Sequence, residues 1–105
     1  MATTDYAADI ATYVSKVNAP AVATIVKYCG IALTRTDSSI VSCADVKELE
    51  RVRDGFAKKK LGLSAESAER GMARVCATMK AKRNKSRVTF YYLLASTTRT
   101  MSKLG

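Results

Sequence analysis

The run VTFYYLLA, Val88 to Ala95, constrains this chain more than any other stretch. Seven of its eight residues are apolar or aromatic and none is charged. Read as a helix from 87 to about 101, it places Val88, Tyr91, Tyr92 and Ala95 on one side and Phe90, Leu93, Leu94 and Met101 on the other. A helix that is apolar nearly all round is a buried one, so this segment would be the central element of a bundle. Composition alone also allows a short buried strand, but a strand needs a partner, and no convincing one stands elsewhere in the chain. In either form, Tyr91 and Tyr92 need hydrogen-bond partners if their hydroxyls are buried.

The rest of the chain supplies material to cover such a helix. With 105 residues, 48% hydrophobic residues and one Pro, it suits a single compact domain, residues 1–105, able to bury a real core. In DYAADIATYVSKV, the residues Tyr6, Ile10, Tyr13, Val14 and Val17 share one helical face, with Thr4 as N-cap. Pro20 suits the start of a second helix, where its missing N–H would be unpaired anyway. Val22, Ile25, Val26, Cys29 and Leu33 line that helix, while Gly30 either ends it or permits a close backbone approach.

A third helix follows the turn-like TDSS. It opens with two overlapping capping boxes, Ser42 with Asp45 and Asp45 with Glu48, and its core stripe is Val46, Leu49, Val52 and Phe56. Lys58, Lys59 and Lys60 followed by Leu61, Gly62 and Leu63 read as a helix end, with cations at the negative end of the dipole and a Gly suited to the left-handed cap. Ser64 caps a fourth helix, with Ala68, Met72, Val75, Cys76 and Met79 inside and Glu66, Arg70 and Arg74 outside. The expected fold is therefore all-α, a single compact bundle or array of about five helices.

Three blocks, YCGIAL, RVRDGFAKKKLGL and KSRVTFYYLLA, resemble those of a small bacterial family catalogued as domain of unknown function 2853. The resemblance runs from about Tyr6 to Ala95 and leaves out the C-terminal STTRTMSKLG. It implies a short, soluble, mainly helical bacterial protein without an assigned activity, and it supplies no site residues.

Chemistry is limited by what is missing. Without any His there is no imidazole base, no Ser-His or Cys-His pair and no histidine metal ligand, so a non-enzymatic protein with no cofactor and no metal is expected. Cys29, Cys43 and Cys76 have no metal-ligand spacing, and three reduced thiols are expected of a cytoplasmic chain. Cys29 and Cys76 fall on apolar faces, whereas Cys43 lies near a helix N-terminus, a position that lowers a thiol pKa and favours reactivity, although an ordinary residue in a capped first turn accounts for it as well. The opening MATTDYAADIATYV has neither a basic nor an apolar leader segment, and no run reaches the roughly 18 apolar residues of a membrane span.

The charge is unevenly laid. Up to Asp45 there are three basic residues against four acidic ones; beyond it there are fifteen against five, and no acidic residue follows Glu69. Within this half, Lys80, Lys82 and Arg83 follow the fourth helix, where the dipole accounts for them. Lys85 and Arg87 instead flank Ser86, the expected N-cap of the last helix, where cations and free N–H groups together favour an anion. Lys80, Lys82, Arg83, Lys85, Ser86 and Arg87 are accordingly the candidate site for nucleic acid or another polyanion. Binding there would be backbone-directed, since no base-reading motif is present. The alternative is a structural or protein-interaction module, an acidic protein partner or a homodimer being its partners, in which the charge serves solubility. No membrane partner is expected, because the basic residues do not lie opposite a wide apolar face.

Overall fold

The computed structural model describes residues 6–29, 40–41, 43–80 and 85–104, without the side chains of Tyr6, Ala7, Ile40 and Lys85. Among the described residues the fold is five α-helices, the last of them buried, as the periodicity predicts. Thr4, Gly30, Leu33 and Ser42, to which the sequence assigns caps or core positions, lie outside the described residues.

Helix α1, Tyr6–Ala11, is shorter than the stripe through Val17 predicts. The Thr12 hydroxyl donates to the Asp9 carbonyl at 2.7 Å, and the Thr12 amide donates to the same oxygen at 3.2 Å. A β-branched residue whose side chain offers the backbone a local alternative is a poor continuation of a helix. The stripe keeps its purpose: Ile10 is fully buried, and Tyr13, Val14 and Val17 pack against the core without helical geometry.

Helix α2, Ala19–Cys29, starts at Asn18, whose Oδ1 accepts from the Ala21 amide at 3.2 Å, with Pro20 inside the first turn. Strand β1, Ile40–Val41, pairs antiparallel with β2, Lys85–Ser86, in a ladder of two residue pairs, Ile40 with Ser86 and Val41 with Lys85. Helix α3, Val46–Val52, is capped by the Asp45 carboxylate, which accepts from the Lys47 and Glu48 amides at 3.0 and 3.3 Å. It runs on into a π-helical segment, Arg53–Lys60. Val52 and Phe56 are buried as expected, but Val46 is 66% exposed, because it heads the first turn and overhangs the edge of the core. The lysine-rich end terminates as its composition predicts: Gly62 takes a φ of +70°, and the Leu63 amide reaches back to the Ala57 carbonyl at 2.9 Å.

Helix α4, Ala65–Thr78, is capped by the Ser64 hydroxyl on the Ser67 amide at 3.2 Å. Ala68, Met72, Val75 and Met79 are buried on its inner face. Gly71 lets it approach the last helix closely, since a Cβ there would meet the Thr98 methyl at 2.6 Å and Leu94 Cδ1 at 2.8 Å. Helix α5, Arg87–Thr97, is capped by Ser86 on the Thr89 amide, so the apolar run is helical. Every residue from Val88 to Ala95 is buried.

Two polar contacts tie α5 to the segments around it, and a third lies within it. The Tyr92 hydroxyl accepts from the Asn18 amide at 2.7 Å, the Tyr91 hydroxyl accepts from Arg87 at 3.0 Å, and the Thr89 hydroxyl donates to the Asp9 carboxylate. Both tyrosines thus find the partners that burial demands. Phe56 stacks on Tyr91 with centroids 4.1 Å apart, and Tyr28 meets Phe56 edge-on at 5.3 Å. The last helix stops at Thr97 rather than near 101; Arg99 takes a left-handed φ of 59°, and a 3-10 turn, Met101–Leu104, buries Leu104 against α2.

The cysteines correct the expectation of three reduced thiols. Cys43, in the turn before α3, and Cys76, on α4, form a disulfide with their Cα atoms 5.9 Å apart. The two are 33 residues apart in sequence, so no spacing rule reveals the approach; packing on α4 of the π-helical segment that continues α3 brings the turn before α3 within reach. Cys29 is free.

Candidate functional site

The six residues singled out by sequence separate once their surroundings are known. Lys80 is exposed just past α4. Lys82 and Arg83 lie outside the described residues, and of Lys85 only the backbone is described, paired with Val41. Ser86 is the helix cap, as expected.

Arg87 departs from expectation. Its side chain is 12% exposed and forms an ion pair with Glu48, itself 13% exposed, on the first turn of α3. A second guanidinium nitrogen donates to Tyr91, whose ring lies 5.7 Å from the Arg87 guanidinium carbon. Burial works against the charge on Arg87, but its contacts with Tyr91 and Glu48 outweigh that, so its pKa rises further above the ordinary arginine value. Burial also raises the Tyr91 phenol above its usual range, and Arg87 offsets part of the rise. The first residue of a helix buried nearly all round has little access to water, so its cation turns to an internal carboxylate. Arg87 is therefore an internal tie between α3 and α5 rather than a surface cation.

Basic side chains do converge elsewhere, on a shallow cleft of about 310 Å³ between α4 and the end of α5. Arg70 and Arg74, one helical turn apart on the outer face of α4, form one wall together with Ser67, while Thr97 and Thr98 form the other and Gly71 lies between. Among the described residues no carboxylate lines the cleft. Arg70 is paired with Glu66 at 3.0 Å, but the two side chains are 73% and 79% exposed, and a pair so open contributes at most about 1 kcal/mol. Arg74 makes no ion pair among the described residues. Sequence spacing accounts for the Arg70–Glu66 pair and stops there; Thr97 and Thr98 join the arginines in one cleft only because Gly71 brings the helices together.

A second concavity, about 490 Å³, opens between α3 and α4. Val46, Leu49, Met72 and Ala73 line it with Cys43 and Cys76. Arg53 closes one side by bonding Asp54 at 2.9 and 3.1 Å and Glu69 at 2.8 Å. These hydrogen bonds hold the Asp54 carboxyl below its ordinary value. Among the described residues there is no cluster of three or more metal-ligating side chains, and no helix is long and apolar enough to cross a membrane.

A small all-α fold with a buried central helix and an arginine-lined cleft is the class of protein these features define. The chain belongs to a family of proteins of unknown function, DUF2853, whose profile matches residues 5–102. The match takes in most of the C-terminal segment that the three sequence blocks leave out. A search of curated proteins found no match.

Proposed function

We propose that this is a non-enzymatic protein that associates with the phosphate backbone of nucleic acid, or with a polyanion of the same chemistry, through the basic face of α4 and the end of α5. The observation that carries this reading is the cleft itself, where Arg70 and Arg74 stand with Ser67, Thr97 and Thr98 and the described lining holds no carboxylate, the exposed Glu66 reaching Arg70 from outside it. Guanidinium forks match phosphate oxygens, and hydroxyls supply further donors. Lys80 extends the face, and Lys82 and Arg83 add charge next to it in sequence. A site of this composition positions a backbone without reading bases.

The absence of His supports a binding rather than a catalytic role. A second reading, a protein-interaction module, is favoured by Val46, which is 66% exposed above the apolar groove.

The test is binding of a fluorescent 20-mer, duplex and single-stranded, across several salt concentrations. Four phosphate contacts give a log-log salt slope of about −3.6 on duplex DNA. The Arg70→Glu, Arg74→Glu variant is expected to lose binding while keeping the wild-type circular dichroism spectrum, and Lys80→Glu to flatten the slope by about one contact. Equal affinity of wild type and the double variant at low salt overturns the assignment.

A further inference from the structure

Polyanion binding makes no use of the groove between α3 and α4, nor of the bond at its edge. The sulfur-bearing residues Cys43 and Cys76 are half-buried: they pack against the core on one side and line that open groove of about 490 Å³ on the other. An attacking thiolate can approach it, and access is a condition for exchange.

The position of the bond gives its breakage a consequence. Cys43 lies two residues beyond Val41, which pairs with Lys85; Cys76 lies on α4, upstream of Lys85. Disulfide and ladder together therefore close a ring that begins and ends at Cys76. The remaining thiol, Cys29, does not interfere. Burial pushes it up to about 11 against the opposing effect of Arg87, so it stays protonated near neutral pH and is a poor nucleophile.

We propose that Cys43–Cys76 is a reversible thiol–disulfide exchange site whose reduction by a dithiol releases the β1–β2 ladder from α4. One thiolate of the dithiol attacks a cysteine sulfur, the S–S bond breaks, and the other cysteine leaves as a thiolate that takes up a proton. The second dithiol sulfur then attacks the mixed disulfide, the first cysteine leaves and is protonated, and the dithiol departs as a cyclic disulfide. Two electrons and two protons have passed to the cysteines. The ladder then rests on two residue pairs and on α5, against which Val41 is buried, and so short a two-stranded pairing loosens when one of its supports is lost. The core persists, because Arg87–Glu48 still joins α5 to α3 and α5 remains buried.

The full chain is treated with dithiothreitol without denaturant, and its thiols are counted with an aromatic disulfide reagent while amide exchange is followed by NMR. The oxidised protein is expected to show no rapidly reacting thiol and the reduced protein two, Cys29 remaining slow. Amides bonded across the ladder should exchange at least tenfold faster after reduction, with those of Leu93 and Leu94 unchanged. Cys43→Ser, Cys76→Ser is expected to show the fast exchange with or without reductant. The proposal is overturned by two reactive thiols persisting after incubation with oxidised dithiothreitol, by reduction that requires denaturant, or by unchanged ladder exchange after reduction. Exchange that rises equally at Leu93 and Leu94 overturns it too, since the bond is then a staple of the whole fold.

Discussion

Replacing Glu48 by Gln removes the charge that faces Arg87 while keeping the shape of the side chain. Both partners are about seven-eighths buried, at 13% and 12% exposure, so a guanidinium facing a neutral amide in place of Glu48 keeps little contact with water. Its bond to the Tyr91 hydroxyl survives, and Gln still offers a carbonyl acceptor. Breaking a buried pair by removing one partner costs about 3–5 kcal/mol, and the residual acceptor places this case near 3. Domains have about 5–15 kcal/mol of stability, so the loss is a large fraction of the whole and corresponds to a fall in Tm of about 12 °C or more. Urea denaturation followed by circular dichroism measures it; the midpoint should drop with the slope unchanged. The double variant Glu48→Leu, Arg87→Met, which removes both charges, should come within about 1 kcal/mol of wild type or exceed it. A loss below 1 kcal/mol for Glu48→Gln would refute the reasoning, because the pair would then behave as a solvent-screened surface contact.

Three further outcomes follow from other contacts. Gly71→Val should destabilise by about 2 kcal/mol, since its Cβ enters the space of Thr98 and Leu94 and Thr98 is held by its hydrogen bond to the Leu94 carbonyl; thermal melting reads the change. Tyr92→Phe leaves the Asn18 amide without its acceptor and should cost about 1–3 kcal/mol, with faster hydrogen exchange at Asn18 as its local signature. Cys29 has a folded pKa raised from 9.0 to about 11, so the native state holds a proton that the unfolded chain releases over that interval. The associated stability is present below pH 9 and is lost as pH rises toward 11. Urea midpoints measured across this range should decline more steeply in wild type than in Cys29→Ala.

Much of the fold was legible because its causes are local. The caps at Asp45, Ser64 and Ser86 each bond an amide two or three residues away, and the left-handed Gly62 ends a helix whose last residues announce it. The burial of α5 follows from a run with no polar face to present to water. The early end of α1 depends on a competition at Thr12 that a clean apolar stripe conceals. The candidate site was harder to read. Lys85 and Arg87 look alike beside a helix cap, yet Arg87 turns inward because Glu48, 39 residues away, arrives there.

What the sequence determined by itself is therefore the helical class, the central helix, the caps and the basic C-terminal half, all consequences of composition or of interactions spanning a few residues. Only the tertiary structure decided that Cys43 meets Cys76, that Arg87 is an internal ion pair, and that Arg70 and Arg74 share a cleft with Thr97 and Thr98. Each of these joins residues separated by more than 20 positions, and no local pattern encodes which distant side chain packing will bring within bonding distance.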